Sequence, residues 1–147
     1  MATLHLEIVT QERRLYSGDV DMVVAPGSEG EMGILPHHVS LLTTLKEGVL
    51  RVKHDGVEEL FSIGGGFLEV QPDHVIVLAD AAERADEIDI ARAEQARERA
   101  EKLLKDRPAG ANIEEALAAL RRAQIRVTVA QRQGVRRREQ PEIKSSE

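Results

Sequence analysis

Four arginines recur at spacings that let their guanidinium groups converge. Asp89, Arg92 and Arg99 lie three and then seven residues apart, which places them on one face of a helix. Arg122 and Arg126, four apart, make a second row. Facing one another across two helices, such rows present planar forks that hold phosphate oxygens two bonds at a time. The carboxylate of Asp89 or Glu83 then remains free to accept from an amino group. The same residues fit a second reading: with 15 arginines and 5 lysines in the chain, charged helices carry solvated guanidinium groups at these spacings by composition alone.

Other groupings carry less chemistry. Gly64-Gly65-Gly66 is followed by no Lys-Ser or Lys-Thr pair and by no helical pattern, so these glycines read as a bend or a close approach to another backbone. His37 and His38 are adjacent and point to opposite sides of an extended segment, while His5, His54 and His74 fall in separate strands or turns, which makes no metal-ligand set. Glu58 and Glu59 are adjacent in the same way. No nucleophile stands in a pattern with its base. The residues therefore read as a binding or structural protein and not an enzyme, with no cofactor required.

The elements that must hold the arginines follow two patterns. Through Arg84 the chain is made of short Val, Ile and Leu runs separated by glycine-bearing turns; Leu4, Leu6 and Ile8 alternate with Thr3, His5 and Glu7, the period of a half-buried strand. Asp55-Gly56 joins two such runs and predicts a two-residue hairpin turn. Further strands are expected after Gly64-Gly65-Gly66 and after the Gln71-Pro72-Asp73 turn. Many short strands without intervening helices predict a sandwich or flattened barrel over residues 1–84.

After Arg84 the pattern is helical. From Asp86, the expected cap, to about Lys105 there is no Gly or Pro, and Ala93, Ala96, Ala100 and Leu103 recur at three- and four-residue spacing. Asp106-Arg107-Pro108-Ala109-Gly110-Ala111 breaks the run, and Asn112 with Glu115 restarts it. Ile113, Ala116, Leu117, Leu120, Ala123, Gln124 and Val127 trace one face. The prediction is an antiparallel two-helix hairpin over residues 85–134, with a polar, disordered tail over 135–147. Burying an alanine methyl contributes about 0.8 kcal/mol against roughly 1.5–3 for a Leu or Val side chain, so such a hairpin packs closely and adheres weakly. Its helices keep their propensity when detached, which suggests a switch.

Bulk composition narrows the partners. The net charge of −6 and the 2% aromatic content argue against a nucleic-acid backbone or base-stacking platform. The first 84 residues carry six basic and fourteen acidic groups, the rest fourteen and twelve, so the two parts attract weakly. There is no cysteine, no run of roughly 20 apolar residues and no signal-peptide pattern at the start, which predicts a protein neither secreted nor integral to a membrane.

Two glycine-bearing segments carry a resemblance: Pro26-Gly27-Ser28-Glu29-Gly30-Glu31-Met32-Gly33-Ile34-Leu35-Pro36-His37-His38, and Gly65-Gly66-Phe67-Leu68-Glu69-Val70. They resemble signatures of the epsilon-subunit family of rotary F-type ATP synthases, and the order of parts matches over residues 1–134. Ser40, where that family often has proline, and the polar tail depart from it. The resemblance implies a flattened sandwich of about ten strands bound to the gamma subunit and standing on the ring of membrane c subunits. It implies a non-catalytic central-stalk (rotor) subunit of the proton-translocating enzyme, peripheral on the cytoplasmic face of the bacterial inner membrane and touching the membrane only through the complex. Glu29, Gly30 and Glu31 would meet the c-ring, and His38 would lie near gamma. The hairpin would fold against the sandwich or extend along gamma into the alpha/beta catalytic head, inhibiting ATP hydrolysis.

Some bacterial members bind ATP through a motif that Ile88-Asp89-Ile90-Ala91-Arg92-Ala93 resembles. By that resemblance, Glu83, Ile88, Asp89, Arg92, Arg99, Arg122 and Arg126 are candidate contacts for ATP as a regulatory ligand. A free-standing ATP-binding sensor or adaptor is the alternative, resting on the helical arginines alone.

Overall fold

The computed structural model describes the backbone of residues 2–139 and the side chains through residue 133. Eight strands precede a short 3₁₀ turn and two helices. They are β1 (Leu4–Val9), β2 (Arg14–Val20), β3 (Met22–Gly27), β4 (Gly30–Ile34), β5 (Leu41–His54), β6 (Val57–Gln71), β7 (His74–Ala79) and β8 (Ala82–Arg84). The turn spans Ala85–Glu87, α1 Ile90–Asp106 and α2 Ile113–Glu139.

One continuous sheet runs β2-β1-β7-β6-β5-β3-β4, with β8 on the far part of β6. All pairs are antiparallel except β1 with β7. Although β2 and β4 end the sheet on opposite sides, Leu15 and Val20 of the first share one buried cluster with Ile34 of the second. The sheet must therefore fold over on itself. Its two long strands, 14 and 15 residues, each serve both layers, which is why eight strands fill the place of about ten.

The fold-over occurs at glycine. The β5–β6 ladder lacks a pair between Leu45↔Gly66 and Glu47↔Gly64, and there Gly65 and Gly66 have φ of 97° and 135°. A Cβ on Gly66 would collide with the carbonyl oxygen of Leu78 and stand 2.9 Å from Ala79 Cα. The expected bend and close approach are thus both present, inside one strand and not between two. Asp55 and Gly56 have φ of 49° and 76°, the double positive φ of the expected tight hairpin. Leu4, Leu6 and Ile8 point into a core of eighteen buried residues, as their alternation predicts.

The helices differ in detail from expectation. Asp89, not Asp86, caps α1: its Oδ1 accepts from the backbone N–H of Arg92 at 3.2 Å. The reason lies one turn earlier, where Glu87 accepts from Arg13 and from the Arg84 backbone N–H and closes a separate turn. Asn112 caps α2 through the Glu115 N–H, as its spacing suggested. Among the described residues, the buried positions of α2 are Ala116, Ala123, Val127, Val129 and Ala130; Leu117 and Gln124 are exposed, and Leu103 of α1 is 38% exposed. Alanine contacts draw the helices so close that the longer Leu103 and Leu117 are left at the rim. Val129 is buried because α2 packs on two sides, against α1 and against β5 and β6. The helix also runs past Gly134 to Glu139, so the expected tail begins as helix; residues 140–147 lie outside the described residues.

Between sandwich and hairpin sits a second, smaller cluster of Leu60, Ala85, Ile88, Ala93, Val127, Val129 and Ala130. Seven residues with three alanines make a far weaker contact than the eighteen of the main core.

Substitution at the bend separates strain from mere exposure. Gly66→Val is expected to destabilise the sandwich by about 3 kcal/mol or more in denaturant unfolding, because both its φ and its neighbours forbid a side chain. Gly30→Ala, with φ of 137° but nothing within 4 Å, should cost less, about 1–3 kcal/mol from backbone strain alone.

Candidate functional site

The arginines divide into two groups by the elements that carry them. Arg122 and Arg126 project from α2 toward β8, where Arg126 Nε donates to Glu83 Oε2 at 3.2 Å. Together with Glu83 they border a hollow of about 340 Å³ floored by Ala96, Ala119 and Ala123 and walled by the backbone around Gly64 and Ala81. Arg99 borders an adjoining groove of about 460 Å³ with Leu103 and Glu115, and the two spaces share Ala96 and Ala119. The structure thus brings Glu83, Arg99, Arg122 and Arg126 to one seam.

It does not bring Ile88, Asp89 and Arg92 there. Ile88 is buried in the cluster between sandwich and hairpin. Asp89 spends one oxygen capping α1, and the Arg92 side chain, 83% exposed, pairs with Asp89 at 3.7 Å. The motif therefore builds the start of the helix that carries Arg99.

This arrangement can hold an anion. Alanine at the floor leaves room that a larger side chain would fill, and hollows of several hundred Å³ are of ligand size. Arg99 and Arg122 are exposed, whereas Arg126 is half-buried on Glu83, so a phosphate entering the seam competes with that carboxylate.

A second surface lies on the sandwich. Ser28 and Glu29 form the β3–β4 turn, Gly30 opens β4, and Glu31 pairs with Arg51 at 2.7 Å. His38 sits in the β4–β5 loop with Nδ1 2.7 Å from the Val39 carbonyl. That loop is pinned by the His37 N–H on the Pro72 carbonyl, with His37 at φ 67°. Around it Leu35, Val39 and Leu42 are 56%, 75% and 71% exposed. Phe67 and Leu78, paired across the β6–β7 ladder, expose about half of their surface nearby. By register Leu42, Phe67 and Leu78 share one sheet face, and several large apolar side chains exposed together mark a candidate interaction site.

Sequence reasoning missed this face, although the doublets Leu41-Leu42, Phe67-Leu68 and Val77-Leu78 signalled strands apolar on both sides. It also missed Arg13, whose guanidinium holds the Glu87 carboxyl below the ordinary range, helped by the Arg84 N–H and opposed by burial. His54, read as isolated, stands with Asp21 and Asp55 in a mostly exposed trio whose atoms already bond one another: His54 Nε2 to Asp55 at 3.1 Å, and Asp21 to the Asp55 N–H at 3.0 Å.

Among the described residues no helix is long and apolar enough to cross a membrane. Residues 3–85 match the family described as ATP synthase, Delta/Epsilon chain, beta-sandwich domain, and residues 86–131 that described as ATP synthase, Delta/Epsilon chain, long alpha-helix domain. An ATP synthase epsilon chain of Dehalococcoides mccartyi is 52% identical over 144 residues, covering 97% of this chain and 100% of the relative. That of Moorella thermoacetica is 49% identical over 131 residues, covering 88% and 98%. In fold, the chain is similar to one in the Euglena gracilis mitochondrial ATP synthase OSCP/F1/c-ring structure, with a TM-score of 0.75 at 24% identity over 92% of this chain and 82% of that one. The chain belongs to the ATP synthase delta/epsilon family, and within it is an epsilon subunit.

Proposed function

We propose that this chain works in the central stalk of the proton-translocating ATP synthase, where the sandwich couples the gamma subunit and c-ring to the catalytic head and the hairpin restrains ATP hydrolysis. The observation that carries the reading is the thin attachment of the hairpin. Beyond the alanine-rich cluster, its tethers to the strands include Arg126 to Glu83 at 3.2 Å, Arg121 to Glu47 at 3.5 Å and the Leu60 N–H to Gln133 at 3.1 Å. Partly exposed ion pairs contribute little, on the order of 0–1 kcal/mol each. The helices carry strong intrinsic propensity and, at 17 and 27 residues, survive separation better than short ones.

Partners follow from the surfaces. The apolar face around Leu42, Phe67 and Leu78, with His38 beside it, suits gamma. The charged segment at Glu29, Gly30 and Glu31 suits the polar loops of the c-ring. The extended hairpin would reach the alpha/beta head. The subunit would then be peripheral, on the cytoplasmic face of the bacterial membrane, and have no active site of its own. Family membership leaves the free-standing sensor or adaptor without support.

ATP fits this scheme as a regulatory ligand. Arg99, Arg122 and Arg126 would take the phosphates and Glu83 the amino group of the base, with Ile88, Asp89 and Arg92 fixing the start of α1. A ligand that binds only the docked hairpin stabilises it by roughly 2.7 kcal/mol at 100 times its dissociation constant, enough to bias a marginal equilibrium.

Two measurements check these readings. In a reconstituted enzyme, ending the chain after Ala85 should raise ATP hydrolysis while proton-coupled synthesis persists; hydrolysis no faster than with the full chain would contradict the inhibitory role. In calorimetry on the isolated protein, ATP should bind saturably. Arg122→Ala and Arg126→Ala should each weaken binding by about tenfold or more, and Arg92→Ala less. Absence of binding at millimolar ATP would leave a coupling subunit that does not sense ATP.

A further inference from the structure

We propose that residues 84–87 form a pivot fixed to the sandwich, so that when the hairpin leaves, the chain turns at residues 88–89 and no earlier. The inference rests on the reading above that the hairpin detaches, and it adds where the motion begins and what fixes that point.

The hydrogen bonds of Arg84 and Glu87 run to the sandwich, while Ala85 also packs in the small apolar cluster with Val127, Val129 and Ala130 of α2. Arg13, in the β1–β2 loop, donates from Nη1 and Nη2 to the two oxygens of Glu87 at 3.1 and 2.7 Å. The same carboxylate accepts from the backbone N–H of Arg84 at 3.3 Å. The guanidinium of Arg84 donates to the carbonyl of Leu15 and lies 5.8 Å from the ring centroids of both Tyr16 and Phe61. Just before it, β8 is hydrogen-bonded to β6 from Ala82 to Arg84. Arg13, Leu15, Tyr16 and Phe61 all belong to the sandwich. Detaching the helices breaks none of these bonds.

Among the described residues, the hairpin's polar tethers to the strands through Arg121, Arg126 and Gln133 all lie on α2. Between clip and helix stand two extended residues, Ile88 with φ −77° and ψ 122° and Asp89 with φ −79° and ψ 103°. Two non-helical residues flanked by a clipped turn on one side and a capped helix on the other make a joint. Bidentate bonding also keeps the Glu87 carboxyl below its ordinary range. The clip is therefore intact at neutral pH and is lost only as acid titrates that lowered carboxyl. Reach follows as well: a helix starting beyond Asp89 extends by about 1.5 Å per residue from a fixed point on the sandwich, so the pivot sets where its far end arrives.

The cysteine-free chain allows paired spin labels in the full-length protein. Ser17→Cys/Asp86→Cys measures sandwich to pivot, Ser17→Cys/Gln95→Cys measures sandwich to α1, and Ser17→Cys/Gln71→Cys verifies that the sandwich stays folded. Val127→Asp, which puts a charge into the buried seam, forces the hairpin off. With it, the 17–95 distance distribution should lose its single narrow form while the 17–86 distribution keeps it. Adding Arg13→Ala should then broaden the 17–86 distribution too, with 17–71 unchanged. Broadening of 17–86 in Val127→Asp alone, or no broadening on adding Arg13→Ala, overturns the pivot. A single narrow 17–95 distribution without Val127→Asp bears instead on whether the hairpin opens unaided, and leaves the forced-opening comparison just as decisive.

Discussion

The side chains buried where the two helices meet are alanines. Ala93 and Ala100 on α1 and Ala116 and Ala123 on α2 are buried, and Ala96 and Ala119 stand half-buried beside them. Small side chains let the helix backbones approach while taking little apolar area out of water, so proximity and adhesion are decoupled. The same methyls leave the hollow between Glu83, Arg122 and Arg126 open. A leucine at Ala96 or Ala119 would strengthen the hairpin and fill the space at once. Weak docking and room for a ligand thus have one structural cause.

The sandwich stands in contrast. It is closed by the bend at Gly65 and Gly66 and filled by an eighteen-residue core, with Tyr16 and Phe61 edge-to-face at 5.8 Å. Unfolding it exposes that whole core, whereas releasing the hairpin exposes a seven-residue cluster and a few ion pairs. The chain therefore combines a stable body with an arm whose position is set by small differences. Charge acts in the same direction: an acidic sandwich and a slightly basic hairpin attract without a deep interface, and surface attraction of that kind is readily screened or outcompeted.

Much of this was legible in the residues, because local rules govern it. The alternation of Leu4, Leu6 and Ile8, the Asp55-Gly56 turn, the glycine bend and the Asn112 cap all depend on near neighbours in sequence. What stayed hidden depends on distant ones. Asp86 and Asp89 are equally good caps by type, and only Arg13, some seventy residues away, draws Glu87 into its own turn and passes the cap to Asp89. Arg92 and Arg99 share a helical face by spacing, but only Arg99 lies where α1 meets α2. Leu117 fits the apolar stripe by type, yet alanine-spaced helices leave it outside. The outward apolar residues of β5, β6 and β7 were written in the doublets and needed the register to show that they form one face.

The central claim is that the hairpin opens while the sandwich stays folded. Because the chain has no cysteine, single thiols can be placed at Ala123, 2% exposed in the helical seam, and at Val75, fully buried in the sandwich core, and their alkylation rates compared under native conditions. The account predicts that Ala123→Cys reacts at least about a hundredfold faster than Val75→Cys, with a rate nearly independent of low denaturant, as for sub-global opening. Equal rates that rise together with denaturant would mean that the two parts open only as one unit, and would contradict it.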